Sequence, residues 1–206
     1  MARRQRKTRL YGFAQQDRGR TGVREPLPRI LIVCEGERTE PNYFRAFGVA
    51  SAMVESVGRG APAVVDKAIA LRKREMETDR RECGGAGGNG YHQVWCVFDK
   101  DDVPDRAFLN AIELAGRNRI RVAYSNQAFE LWFLLHFDYL DTGLSRDSYC
   151  TSLTVRLGSE YQKNDRGMYE KLLDRQQTAI RNAQRLFESY AEHHPERDDQ
   201  CTTVYE

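Results

Sequence analysis

Two short apolar runs that each end in acid constrain this chain more than anything else in it. Residues 30–34 read ILIVC and pass straight into Glu35-Gly36-Glu37-Arg38-Thr39-Glu40. Residues 93–98 read QVWCVF and pass into Asp99-Lys100-Asp101-Asp102. A continuous apolar run of this length is expected where a strand is buried on both faces, as in the middle of a parallel sheet. Such strands ordinarily end in neutral turn residues. Two that end in carboxylates imply that something positive belongs at their tips.

The segments between these runs carry helical signals. Thr39 is placed to cap a helix that begins with Glu40 and Pro41 and continues through NYFRAF. Residues 52–57 are a weaker strand candidate. Pro62 opens a long helical pattern with Val65, Ala68, Ile69 and Arg72 at helical spacing, followed by the glycine-rich GGAGGNG at 84–90. That segment has no Lys, Ser or Thr placed as in a phosphate-binding loop, so it reads as a linker. Pro104 starts a further helix to about Arg117, and IRVAY at 120–124 reads as another strand. Ser125 or Asn126 is then expected to cap the helix QAFELWFLLHF, and residues 145–192 read as helices, with Pro195 as the stop. Strands alternating with helices predict an α/β fold with a doubly wound, mainly parallel sheet. The expected organisation is a basic arm over 1–28, an α/β core over 29–142 and a C-terminal helical extension over 143–206.

Charge is unevenly distributed. The net charge is +2, yet residues 1–30 hold nine Lys and Arg against Asp17 and Glu25, so the rest of the chain is acidic. An arm of this composition, poor in apolar residues, is expected to be disordered alone, as a solubilising tail or as a partner for phosphates. No apolar run approaches the ~18 residues of a membrane span, and no apolar segment follows the basic start as in a secretory signal. The five cysteines show no paired spacing, and Cys34 and Cys96 lie inside the strand candidates. Free core thiols and a cytoplasmic location are the expectation.

In a doubly wound sheet, ligands bind beyond the carboxyl ends of the strands. Glu35, Asp99 and Asp101 are therefore expected to converge there, and carboxylates crowded together raise one another's pKa. Hard oxygen ligands select Mg²⁺ or Mn²⁺. In an extended stretch Asp99 and Asp101 would point the same way, with Lys100 opposite and Asp102 free to cap the next helix. Glu130, in the first turn of an apolar helix, needs a partner. It either faces the metal or a water to be activated, or it forms a salt bridge with an arginine. His136 lies about 120° around that helix from Glu130, and reads as a structural histidine satisfied by the helix dipole. Lys163 and Lys171 are candidate phosphate contacts. His193 and His194 lie too near the end of the chain to count as ligands.

The ordered set IVCEGERTEPNYF, VWCVFDKDD, YSNQAFELWFLLHF and YQKND resembles the RloB-like proteins, from residue 29 to about 204. These are prokaryotic proteins associated with phage-defence loci, often beside an ATPase partner. The family is in turn similar to Toprim domains, in which a Glu after the first strand and a DxD after a later strand serve metal-dependent phosphoryl chemistry. The resemblance implies a Toprim-like fold, Glu35, Asp99 and Asp101 as metal ligands, and Glu130 and Lys163 in the site. Where such proteins tend to have a Pro-Ser-Thr-like segment, this chain has Gln200-Cys-Thr-Thr-Val204. The function expected is a Mg²⁺- or Mn²⁺-dependent nuclease acting on DNA or RNA, with oligomerisation open. The alternative is a non-catalytic nucleic-acid-binding or regulatory subunit of an ATPase-containing complex.

Overall fold

The computed structural model describes residues 27–82, 90–142 and 144–206. The basic arm up to residue 26, Cys83 and the glycine-rich stretch 84–89 lie outside these. The sheet is built from β1 (Ile30–Cys34), β2 (Ala52–Ser56), β3 (Gln93–Asp99), β4 (Arg121–Asn126) and β5 (Cys201–Thr202), in the order β2-β1-β3-β4-β5. The first four are mutually parallel, and β5 runs antiparallel to β4. The fold is thus α/β with a mostly parallel sheet.

Both faces of the sheet are covered, because side chains alternate along each strand. Leu31 and Val33 pack with α2 (Ala61–Glu82) and α3 (Asp105–Arg117) on one face. On the other, Cys34 and Val97 pack with α1 (Thr39–Arg45), α4 (Glu130–Leu134), α5 (Arg146–Leu157), α6 (Met168–Leu172) and α7 (Gln176–Glu188). The chain moves outward from β1 to β2, then returns across β1 to β3. That reversal puts a crevice between the carboxyl ends of β1 and β3, the usual ligand position in such sheets.

Several boundaries differ from those read in the sequence. Thr39 is the first residue of α1, and its hydroxyl donates to the Lys163 carbonyl at 3.1 Å rather than capping the helix. Asp102 does not cap α3, whose preceding residue is Pro104 with no side-chain cap. Ser125 and Asn126 stay in β4 because they are committed to the tail: the Ser125 and Thr202 hydroxyls are 2.9 Å apart, and Asn126 Nδ2 donates to the Asp198 carbonyl at 3.0 Å. The expected helix over 127–137 contracts to the five residues of α4. The last helix ends at Glu188, ahead of Pro195, and the segment after it returns as a strand.

Tyr43 ties the second face together. It is 1% exposed and meets the rings of Phe129 at 5.8 Å, Phe133 at 5.3 Å and Tyr169 at 5.7 Å, while its hydroxyl donates to Gln176 Oε1 at 3.2 Å. One side chain therefore joins α1, α4, α6 and α7. Tyr43→Ala is expected to cost about 3–5 kcal/mol, the range for emptying a large aromatic site. Urea unfolding would check this, and a loss below about 1 kcal/mol would show that this face does not act as one packed unit.

Candidate active site

The crevice is a cleft of about 500 Å³ whose lining includes Glu35, Glu40, Asp99, Asp101, Glu130, Arg146 and Lys163. Glu35, Asp99, Asp101, Glu130 and Lys163, the five residues that the resemblance implies for the site, all line it. Backbone pairing sets the first contact. The Glu35 N–H donates to the Val97 carbonyl at 2.8 Å, continuing the β1–β3 ladder past the end of β1. The Asp99 N–H in turn donates to Glu35 Oε2 at 3.2 Å. Glu35 and Asp99 are brought together because their strands are neighbours in register.

Glu40, assigned in the sequence only to the first turn of its helix, belongs to this group. It is 4% exposed and accepts from the Gly36 N–H through Oε1 at 3.1 Å. A Cβ on Gly36 would run into the Glu40 carboxylate, so glycine is required for the close approach. The signal available was the i to i+4 relation of Gly36 and Glu40 across a tight turn. Glu37 is exposed at the cleft edge.

Glu130 is 3% exposed and stands at the start of α4. Among the described residues its partners are a tyrosine and a lysine rather than an arginine: Tyr161 donates its hydroxyl to Glu130 Oε1 at 3.0 Å, and Lys163 Nζ lies 3.6 Å from the same oxygen. Lys163 is placed by its own backbone, since Thr39 and Asn42 of α1 both donate to the Lys163–Asn164 carbonyls. Lys171 instead pairs with Asp165 at 2.8 Å and is not among the cleft residues. Lys100 is turned into the β3–α3 corner, donating to the Val103 carbonyl and pairing with Asp105 at 3.1 Å.

Asp101 departs from its expected geometry. The strand stops at Asp99, and Asp101 has φ +35° in a turn closed by the Val103 N–H on the Lys100 carbonyl. The period-2 relation between Asp99 and Asp101 therefore lapses, and the Asp101 carboxylate is bound by Arg146 at the start of α5. His136 is wholly buried, with Nδ1 at 2.9 Å from the Trp132 carbonyl. Burial pushes its pKa down to about 4, which favours the neutral imidazole over a cation on a helix dipole. Cys34, Cys96 and Cys201 are buried free thiols.

The electrostatics are those of anions crowded out of water. Burial raises Glu35 to about 7, with Glu40 and Asp101 adding to the shift and the Asp99 N–H opposing it. Asp99 is raised well above its usual value by burial, then by Glu40, Glu130 and Glu35. Glu40 is raised by burial and by Glu130, with Lys163 opposing. Asp99 Oδ1 is buried with no hydrogen-bond partner among the described residues. Hard oxygen donors, mutual repulsion and an unpartnered carboxylate oxygen fit a divalent cation such as Mg²⁺ or Mn²⁺. Among the described residues no group of three or more His, Cys, Asp or Glu side chains is arranged to hold a metal ion, and Arg146 engages the carboxylate of Asp101.

The profile of the family described as RloB-like protein matches residues 30–206, from the first strand to the last residue. The chain belongs to the RloB-like family. Comparison with curated proteins and with solved structures gave no match. Among the described residues of this RloB-like protein no helix is long and apolar enough to cross a membrane.

Raised carboxyl groups give a stability prediction with a definite sign. Between its ordinary value of 4.5 and about 7, Glu35 holds a proton in the folded chain that the unfolded chain releases. Stability from this group is therefore complete below the ordinary value and lost as pH rises through about 7. Glutamine imitates the protonated form. In chelator, Glu35→Gln is expected to raise the melting temperature relative to wild type at about pH 8 and to have little effect at about pH 4. An equal shift at both values would show that Glu35 is not desolvated in the fold.

Proposed function

We propose that this RloB-like protein is a Mg²⁺- or Mn²⁺-dependent nuclease that cleaves phosphodiester bonds in DNA or RNA, with a Toprim-like arrangement of its core, and that it serves prokaryotic anti-phage defence. The observation that carries the chemistry is the pairing of Glu35 and Asp99 at the β1–β3 crevice, with Glu40 and Glu130 buried beside them and Asp99 Oδ1 unpartnered. An acidic residue after the first strand and another at the tip of its neighbour is the pattern that the Toprim resemblance implies. The defence setting follows from the family resemblance.

Asp99 and Glu35 would hold the cation, with Glu40 close enough to add charge. When bound, such an ion polarises a phosphoryl oxygen and lowers the pKa of water. The chain's own residues do the remaining work. Lys163 offsets Glu130 and presents a cation to the cleft. Arg38 and Arg59, also on the cleft wall, suit a phosphate backbone without reading bases. If Glu35 stays outside the ligand set, a carboxyl near pH 7 is suited to holding or releasing a proton at its oxygen.

Purified protein is expected to cleave DNA or RNA in Mn²⁺ or Mg²⁺, and to stop on addition of EDTA. Asp99→Asn is expected to lower the rate by roughly two orders of magnitude or more, the scale for losing a group aimed at transition-state charge. Nucleic-acid binding without cleavage in either metal, alone or with a cognate ATPase, would instead favour the binding-subunit reading.

A further inference from the structure

Arg146 is an unexpected residue at its position. It is the first residue of α5, a twelve-residue helix whose preceding Ser145 accepts the Ser148 N–H. A cation in the first turn opposes the helix dipole, whose positive end lies there. Local rules are broken in this way where another requirement outweighs them. Here the guanidinium is held against Asp101 and lies on the cleft wall, where it also feels the charges of Asp99 and Glu130.

Asp101 is equally unexpected. A non-glycine residue at φ +35° has left the geometry that would align it with Asp99, and its backbone N–H donates to the Gln127 carbonyl at 3.3 Å. The turn thus fixes the Asp101 backbone at the base of the α4 approach and directs its carboxylate to Arg146. A guanidinium has five N–H donors in a planar fork. One carboxylate oxygen leaves donors over, and the fork matches a phosphate in a way that a lysine does not.

We propose that Asp101 serves the site through Arg146: it orients the guanidinium as a phosphate-binding fork on the cleft wall, and it is not a metal ligand. Arg146 then contacts the backbone phosphate of a nucleic acid, and Asp101 is a positioning residue. This rests on the nuclease reading for its substrate, while its test does not require cleavage. The division of labour is geometric. Asp99 and Glu35 share a hydrogen bond at the strand tips, whereas Asp101 and Arg146 share one across the turn.

Two readouts on the full chain decide it. The first is the Mn²⁺-induced rise in melting temperature. Asp101→Asn is expected to keep a Mn²⁺-induced rise, whereas Asp99→Asn loses it, since Asp99 has the unpartnered oxygen and the Asp101 carboxylate is engaged by Arg146. The second is fluorescence anisotropy with single-stranded DNA and RNA oligonucleotides in chelator. Arg146→Ala and Asp101→Asn are each expected to weaken binding, Arg146→Ala by roughly tenfold. The double variant should bind no more weakly than Arg146→Ala alone, because both changes remove one device. Arg146→Lys is expected to recover little, since an ammonium lacks the fork. Loss of the Mn²⁺ response in Asp101→Asn, or additive losses in the double variant, overturns the proposal. Absence of any Mn²⁺ response and of any cleavage in wild type would sink the nuclease reading, and the coupling of Asp101 to Arg146 in oligonucleotide binding would still decide this one.

Discussion

Everything in the cleft depends on the parallel pairing of β1 with β3. The register sets Cys34 opposite Val97, so the next residue of β1 and the last residues of β3 end together. The Glu35 N–H completes the ladder on Val97, and the Asp99 N–H closes on the Glu35 carboxylate. A one-residue slip would turn every side chain of a strand to the opposite face. It would exchange the Leu31 and Val33 face for the Ile32 and Cys34 face and separate the two acids. Core packing and site geometry are therefore the same constraint. The apolar alternation that seats β1 between α2 and the aromatic cluster also decides which carboxylates meet.

The aromatic cluster beneath the cleft does the second part of the placement. Tyr43 and Phe44 come from α1, Phe129 and Phe133 from the α4 region; Phe129 meets Tyr43, Phe44 and Phe133 edge to face, and Tyr43 meets Phe133 at a tilt. Edge-to-face contacts restrict ring orientation more than apolar burial alone would. Glu40 lies on α1 three residues before Tyr43, and Glu130 lies one residue after Phe129. Anchoring the rings thus anchors both buried acids. The C-terminal part takes part too: Tyr161 and Lys163 reach Glu130, and the 201–203 tail clamps β4 next to β3. Arg146, Tyr161 and Lys163 thus bring the C-terminal segment to the acids of the cleft.

What could be read from the sequence follows from the kind of signal each feature sends. β1 and β3 were legible because burial on two faces forces near-continuous apolar runs. Glu35 and Asp99 were legible because a strand end is a short extrapolation from such a run. Asp101 lines the cleft as expected, but by another route: the period of two was carried beyond the strand, into a turn that a non-glycine residue enters at φ +35°. The pairing of Asp101 with Arg146 spans 45 residues, and no local pattern encodes it. Glu40 was overlooked because an acid in the first turn of a helix already suits the helix dipole, and that local fit gives no sign of a tertiary role. β5 was missed because it has two residues and is held by threonine hydroxyls as much as by backbone, leaving no apolar alternation to see. The contraction of the helix around Glu130 has a related cause. Its nearly all-round apolar character marked it as buried, but the length of a buried helix is set by what surrounds it.

The charge layout of the cleft separates two demands that would otherwise conflict. A site for a divalent cation needs carboxylates close together and short of water, which is costly without the ion. A site for a polyanion needs cations, which placed among those carboxylates would neutralise them. Here the acids occupy the floor, at the strand tips and first helical turns, and Arg38, Arg59, Arg146 and Lys163 stand on the walls. The two populations touch at two points, Lys163 with Glu130 and Arg146 with Asp101. At each point the pair tempers the local repulsion without cancelling the floor, since Glu35, Glu40 and Asp99 are bonded to backbone N–H groups or to nothing. Backbone donors can hold a carboxylate in place while adding no full charge of their own. On the proposed nuclease reading, they would leave the floor's carboxylate oxygens available to a cation and the wall cations available to phosphate.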